Sequence, residues 1–170
     1  MSSTDSKLEN LRLYYRPARI VLLLVGESPP PRKGFFYDAG ASEGPLSRNT
    51  RKVFEDLFDK RYPARRDFLN DFQSNGCFLV DLFKERGKTV NDATQQEKAA
   101  AVAALYSLIQ DAKPRNVVSV LKRTSRLVEI AARGAKVPVL HKPLPYPTRN
   151  SIKEYSSGLR LILSKLEKSE

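Results

Sequence analysis

Residue types able to do acid–base or hydrogen-bonding chemistry recur at four places in this chain, each just past a short apolar run. Glu27 and Ser28 follow "VLLLVG" and lead into Pro29, Pro30 and Pro31; "RKGFFY" comes next, setting Arg32 and Lys33 beside Phe35, Phe36 and Tyr37. Asp81 ends "CFLVD" and is followed by Lys84 and Arg86. Lys122, Arg123 and Arg126 follow "NVVSVL", and His141, Lys142, Tyr146, Thr148 and Arg149 close the set after "VPVL". A carboxylate or hydroxyl can hold a proton or a water. Aromatics interleaved with cations suit a site that stacks bases and holds phosphates.

The elements that must position these groups alternate. Arg19 to Val25 is a nearly continuous apolar run ending at Gly26, which predicts a central parallel strand covered on both faces. Apolar spacing from Leu46 to Phe58 predicts a helix, and Cys77 to Phe83 a second strand. Thr94 to Asp111 predicts a helix, with Thr94 and Glu97 as a capping box. A third strand is expected over Asn116 to Leu121, then a helix from Thr124 to Arg133 ended by Gly134. Val137 to His141 reads as a short fourth strand, at an edge because of Pro138. Ser151 to Lys168 reads as the closing helix. Strands alternating with helices predict an α/β fold: three layers, α/β/α, around a central, mostly parallel four-stranded sheet. Residues 1–18 form a helical or extended lead-in, and 19–170 a single domain. In such sheets ligands bind beyond the carboxyl ends of the strands, where the four clusters fall.

Composition narrows the classes. The 170 residues suit one domain, and 30 Lys and Arg against 19 Asp and Glu give a net charge of +11, which favours a polyanionic partner. The single Cys77 excludes an internal disulfide and a cysteine-held metal cluster, and reads as a core residue; one histidine, His141, argues against zinc. No apolar run is long enough to span a bilayer, so a cytoplasmic monomer with no membrane contact, no metal and no cofactor is expected. "GESPPP" lacks the glycines of GxGxxG and the GK[ST] of a phosphate loop, and its prolines lack N–H donors. It is better described as a rigid shelf for Glu27 and Ser28.

Taken together, "VLLLVGESPP", "CFLVDLFKERG", "NVVSVLKRTSRLV" and "VPVLHKPLPYPTRN" resemble, in order, the motifs of the uracil-DNA glycosylase superfamily. The resemblance spans about Arg19 to Leu166. It implies that Gly26 to Pro29 form the first site loop, that Phe36 or Phe35 stacks on an extruded base, and that Asp81 stands where the family's Asn reads the base edge. It also implies that Glu27 and Ser28 hold the attacking water, and that Tyr146 and Thr148 line the base site. His141, Thr148 or Arg149 would face the leaving base or the phosphates, while Lys84, Lys122, Arg123 and Arg126 contact the nucleic-acid backbone.

The departures are specific. Ser28 stands where the family's strongest catalysts carry Asp. Asp81 replaces an Asn that offers both donor and acceptor; an ionised Asp accepts only, and suits an amino group or ring N–H better than the O4 of uracil. His141 aligns with the family's loop histidine, or, if "LPYP" takes that loop's place, Leu144 stands there and His141 is a strand-end residue. The expected function is a DNA glycosylase that hydrolyses the N-glycosidic bond of a damaged or deaminated base, uracil or a related one, in duplex or single-stranded DNA. The alternatives are a superfamily member that binds nucleic acid without cutting, and a small-molecule hydrolase or nucleotide-binding module.

Overall fold

The computed structural model describes residues 3–139 and 142–167. The order is α1 (Ser3–Tyr14), β1 (Leu22–Gly26), α2 (Pro45–Leu57), α3 (Arg65–Ser74), β2 (Cys77–Asp81), α4 (Gln95–Ala112), β3 (Asn116–Ser119), a 3-10 turn at Lys122–Thr124, α5 (Ser125–Gly134) and α6 (Ile152–Glu167). The fold is mixed α/β around a parallel sheet of three strands in the order β2-β1-β3. Leu22 pairs with Cys77 on one side and Asn116 on the other, so the strands end together. Leu22, Leu23, Leu24 and Val25 have no solvent exposure, so both sheet faces are covered. On the helical layers, α4 packs against α5 and α2 against α6.

The expected fourth strand is reduced to isolated parallel bridges, Val117 with Val139 and Val120 with Leu144. The chain does run beside β3: Val117 N donates to Pro138 O, Leu144 N to Ser119 O and Leu121 N to Leu144 O. Prolines at 138, 143, 145 and 147 remove the N–H groups that a continuous ladder needs. His141 lies outside the described residues.

Local signals set several ends as expected. Thr94 Oγ1 accepts from Glu97 N while Glu97 accepts from Thr94 N, the capping box at the start of α4. Gly134 instead lies inside α5, and Lys136, at φ 57°, takes the left-handed turn beyond it. Helix α3 is an addition to the sequence reading; it buries Phe68, Leu69 and Phe72.

Candidate functional site at the carboxyl edge of the sheet

Because β1, β2 and β3 end in register, their loops meet at one edge, and backbone and side-chain bonds lock them together. Leu82 N donates to Gly26 O and Phe83 N to Glu27 O, continuing the β1–β2 pairing past the strands. Gly87 N donates to Pro29 O, and Arg86 Nη1 donates to the carbonyls of Pro30 and Arg32, pinning the proline shelf to the loop after β2. Beyond β3, Leu121 adopts φ 129°, a sparsely populated conformation held by three bonds. Ser119 Oγ, Thr124 Oγ1 and Thr124 N all converge on its carbonyl.

Glu27 is buried, and both of its carboxylate oxygens accept from protein donors. Oε1 accepts from Val90 N at 2.8 Å and from Arg123 Nε at 2.8 Å, and Oε2 accepts from Arg123 Nη2. This bidentate pair ties the β3 loop to the β1 loop. Three of the acceptor positions of Glu27 are therefore taken by protein donors, and Arg123, expected at the nucleic-acid backbone, pairs with Glu27 while its side chain stays 49% exposed. Ser28 is half-buried, and its hydroxyl makes no side-chain hydrogen bond among the described residues. Pro29 is buried beside it.

Asp81 is held differently. Arg12 Nη2 of α1 donates to Oδ2 at 2.9 Å, with the Asp81 side chain only 8% exposed. Oδ1 has no donor among the described residues and faces Gly26; a Cβ on Gly26 would lie 2.6 Å from it. Burial pushes the Asp81 carboxyl up to about 6, against the pull of Arg12. A cleft of about 200 Å³ opens here, lined by Glu9, Arg12, Asp81 and Lys84 and by Leu105 and Leu108 of the α4 wall. Tyr146 stands within electrostatic reach of Asp81; it is partly buried, hydrogen-bonded to the backbone of Leu46, and its phenol pKa is raised by burial.

The aromatic run is placed inward. Phe35, Phe36 and Tyr37 are each at most 3% exposed. Tyr37 Oη accepts from Leu79 N at 2.7 Å and donates to Leu79 O at 3.1 Å, closing the open edge of β2. Phe36 packs among Tyr37, Phe68 and Phe72, so the expected base-stacking ring is a core residue. Phe35 lies under the Arg12 guanidinium, 5.4 Å from its ring centroid, and is not open for stacking either. Arg65 Nη2 clamps this loop by donating to the carbonyls of Phe35 and Phe36.

Lys84, Lys122, Arg126 and Arg149 are exposed, Lys122 standing 3.7 Å from Glu154. Thr148 is exposed, but its hydroxyl bonds Ser151 Oγ at 2.8 Å and helps form the turn that starts α6. Sequence reasoning missed Arg12. Its only signal was a cation within a helical lead-in, with nothing to connect it to Asp81, 69 residues away. Cys77 is buried and free, its thiol pushed up to about 12 by burial. No group of His, Cys, Asp and Glu that could hold a metal ion occurs among the described residues. No helix among them is long and apolar enough to cross a membrane.

The cleft so described is lined by the charged groups Glu9, Arg12, Asp81 and Lys84 and by apolar side chains of α4, and Asp81 Oδ1 has no donor among the described residues. No protein-family model matches this chain, and no curated protein matches it.

Proposed function

We propose that this chain binds a nucleobase of DNA at the carboxyl edge of its sheet and acts on it as a DNA glycosylase, on a three-layer scaffold of the uracil-DNA glycosylase kind. One observation supports this most: among the described residues the Asp81 carboxylate keeps Oδ1 without a donor, beside the Cβ-free Gly26, and Asp81 lines a cleft that Lys84 also lines, while the loops after β3 and before α6 carry the exposed cations Lys122, Arg126 and Arg149. A flipped base needs a hydrogen-bonding group at its polar edge, and its phosphates need cations. In this reading Asp81 accepts from the base edge and the exposed cations take the phosphates. The Ser28 hydroxyl, unpartnered among the described residues, holds the water that attacks the sugar. Binding falls with salt, as counterion release requires.

A second reading, binding without cleavage, is favoured by one specific feature. Three acceptor positions of Glu27 are taken by Arg123 and Val90, Ser28 offers a hydroxyl in the water-holding position, and a hydroxyl without a base is a weak activator. One experiment separates the two. Duplexes and single strands carrying uracil, hypoxanthine, xanthine or a mismatch are incubated with the protein and scored for alkali-labile breaks, with binding measured in parallel. Breaks support the glycosylase. Salt-sensitive binding without breaks moves the function to recognition alone. No binding at low salt overturns both.

A further inference from the structure

The two oxygens of Asp81 have different partners, and that asymmetry carries chemical information. Oδ2 is held by Arg12 Nη2 at 2.9 Å, in a pair whose side chains are 9% and 8% exposed. Arg12 is itself positioned on three sides: Glu9 on the previous turn of α1 takes Nη1, the Phe35 ring lies beneath its guanidinium, and Leu8 and Tyr15 bury the same helix face. Oδ1 is left facing Gly26 with no donor among the described residues.

We infer that Arg12 is the positioning residue that sets base specificity at this edge: by holding Oδ2, it leaves Oδ1 a fixed acceptor, and the site prefers bases that turn an exocyclic amino group toward it over their keto counterparts. This rests on the base-binding reading above. An ionised carboxylate accepts hydrogen bonds and donates none, so a keto oxygen placed against it meets another acceptor, while an amino group finds a partner; a keto base can satisfy Oδ1 only by turning its ring N–H toward it. Leaving such groups mismatched in a dry site is what gives hydrogen-bonding sites their strong discrimination. The guanidinium keeps its charge at any working pH, so it favours the ionised form of Asp81. Among the described residues, the other charged or titratable groups near Asp81 are Glu9 on α1, Tyr37 after β1, Tyr146 before α6 and Lys84, which lines the cleft.

The test compares short single strands that differ only at one central base, cytosine against uracil and adenine against hypoxanthine. Each pair exchanges an amino group for a keto oxygen and the acceptor ring nitrogen beside it for a ring N–H, so a keto preference reports Oδ1 reading that N–H instead of an amino group. Binding is read by fluorescence anisotropy at low salt and about pH 7.5. The amino member of the pair that the site admits is expected to bind about tenfold more tightly, the scale of one well-made hydrogen bond. The preference should shrink below about pH 6, where Asp81 takes up its proton. Arg12→Lys should keep the preference and Arg12→Leu should lose it. Asp81→Asn, which can donate as well as accept, should move the preference toward the keto base. Equal binding within both pairs by the unaltered protein, or a keto preference, overturns the inference and leaves the base-binding reading standing. Absence of binding to every strand overturns that reading and the inference with it. An amino preference that survives intact in a folded Arg12→Leu protein removes Arg12 from the account.

Discussion

Glu27 and Asp81 stand on neighbouring strands at the same sheet edge, each buried and each facing an arginine brought from far along the chain. Glu27 receives three hydrogen bonds from two residues, one of them a bidentate arginine. Among the described residues Asp81 receives one, and keeps an oxygen without a donor. The difference lies in approach. Arg123 comes from the turn after β3, on its own sheet, and meets Glu27 edge-on with both nitrogens. Arg12 comes from α1, outside the sheet, and reaches only one oxygen. The first arrangement braces two loops. The second leaves a directional acceptor in a crevice, which is the condition for reading a ligand.

The strongest way to break this comparison is to remove the arginine that Asp81 relies on. Arg12→Leu leaves a buried carboxylate without a counterion, and urea unfolding at about pH 7.5 should show a loss of about 3 kcal/mol. The loss should shrink at about pH 5, because Asp81 can then take up a proton. An unchanged midpoint at both pH values would mean that α1 is not a working part of the fold.

Amide replacement sharpens the contrast, since the same chemical change should act differently at the two sites. Glu27→Gln puts an NH2 against the Arg123 and Val90 donors, so a loss of about 2 kcal/mol is expected by denaturant unfolding. Asp81→Asn should cost little at about pH 4 and become relatively stabilising as pH rises, by on the order of 1 kcal/mol near pH 7. The sign follows from proton binding. Folded Asp81 holds its proton up to about pH 6, whereas the unfolded chain releases it near the ordinary carboxylate value of 3.8. Between those values the folded state binds more protons, so the unaltered protein loses stability as pH rises, and the Asn variant is spared that loss. A difference between the two proteins that is flat with pH would show that Asp81 is not desolvated.

Sequence reading found the β1 strand, the β2 strand and α4 because their signals are local: unbroken apolar runs and a capping box. It located the carboxyl edge from topology alone. It did not assign the partners at that edge. Glu27 and Arg123 are separated by 96 residues, and Asp81 and Arg12 by 69, and nothing within either segment marks the pairing. For the same reason the aromatic run was misplaced. Phe36 beside cations reads as a stacking surface, until α3 supplies Phe68 and Phe72 to bury it. That helix went unread because its apolar face, Phe68, Leu69 and Phe72, is confined to one turn within a charged segment. The fourth strand was legible as an apolar run but not as a reduced one, because its bridges depend on which N–H groups the prolines withhold.

The smallest structural effect belongs to Ser28, and it tests whether the loop after β1 or Asp81 at the end of β2 does chemistry. Its hydroxyl has no partner among the described residues, so Ser28→Ala should leave stability within about 0.5 kcal/mol, as for a change that touches no hydrogen-bond network. If the site cleaves, the same substitution removes a hydroxyl next to Glu27 that has no side-chain hydrogen bond among the described residues, and turnover should fall while the affinity for DNA stays the same. A fall in affinity with unchanged turnover would place Ser28 on the ligand and not on the water. Unchanged turnover and affinity together would leave Asp81 as the sole reacting or reading group at this edge. Glu27 and Ser28 would then be a scaffold that brings Gly26 close to the carboxylate it leaves room for.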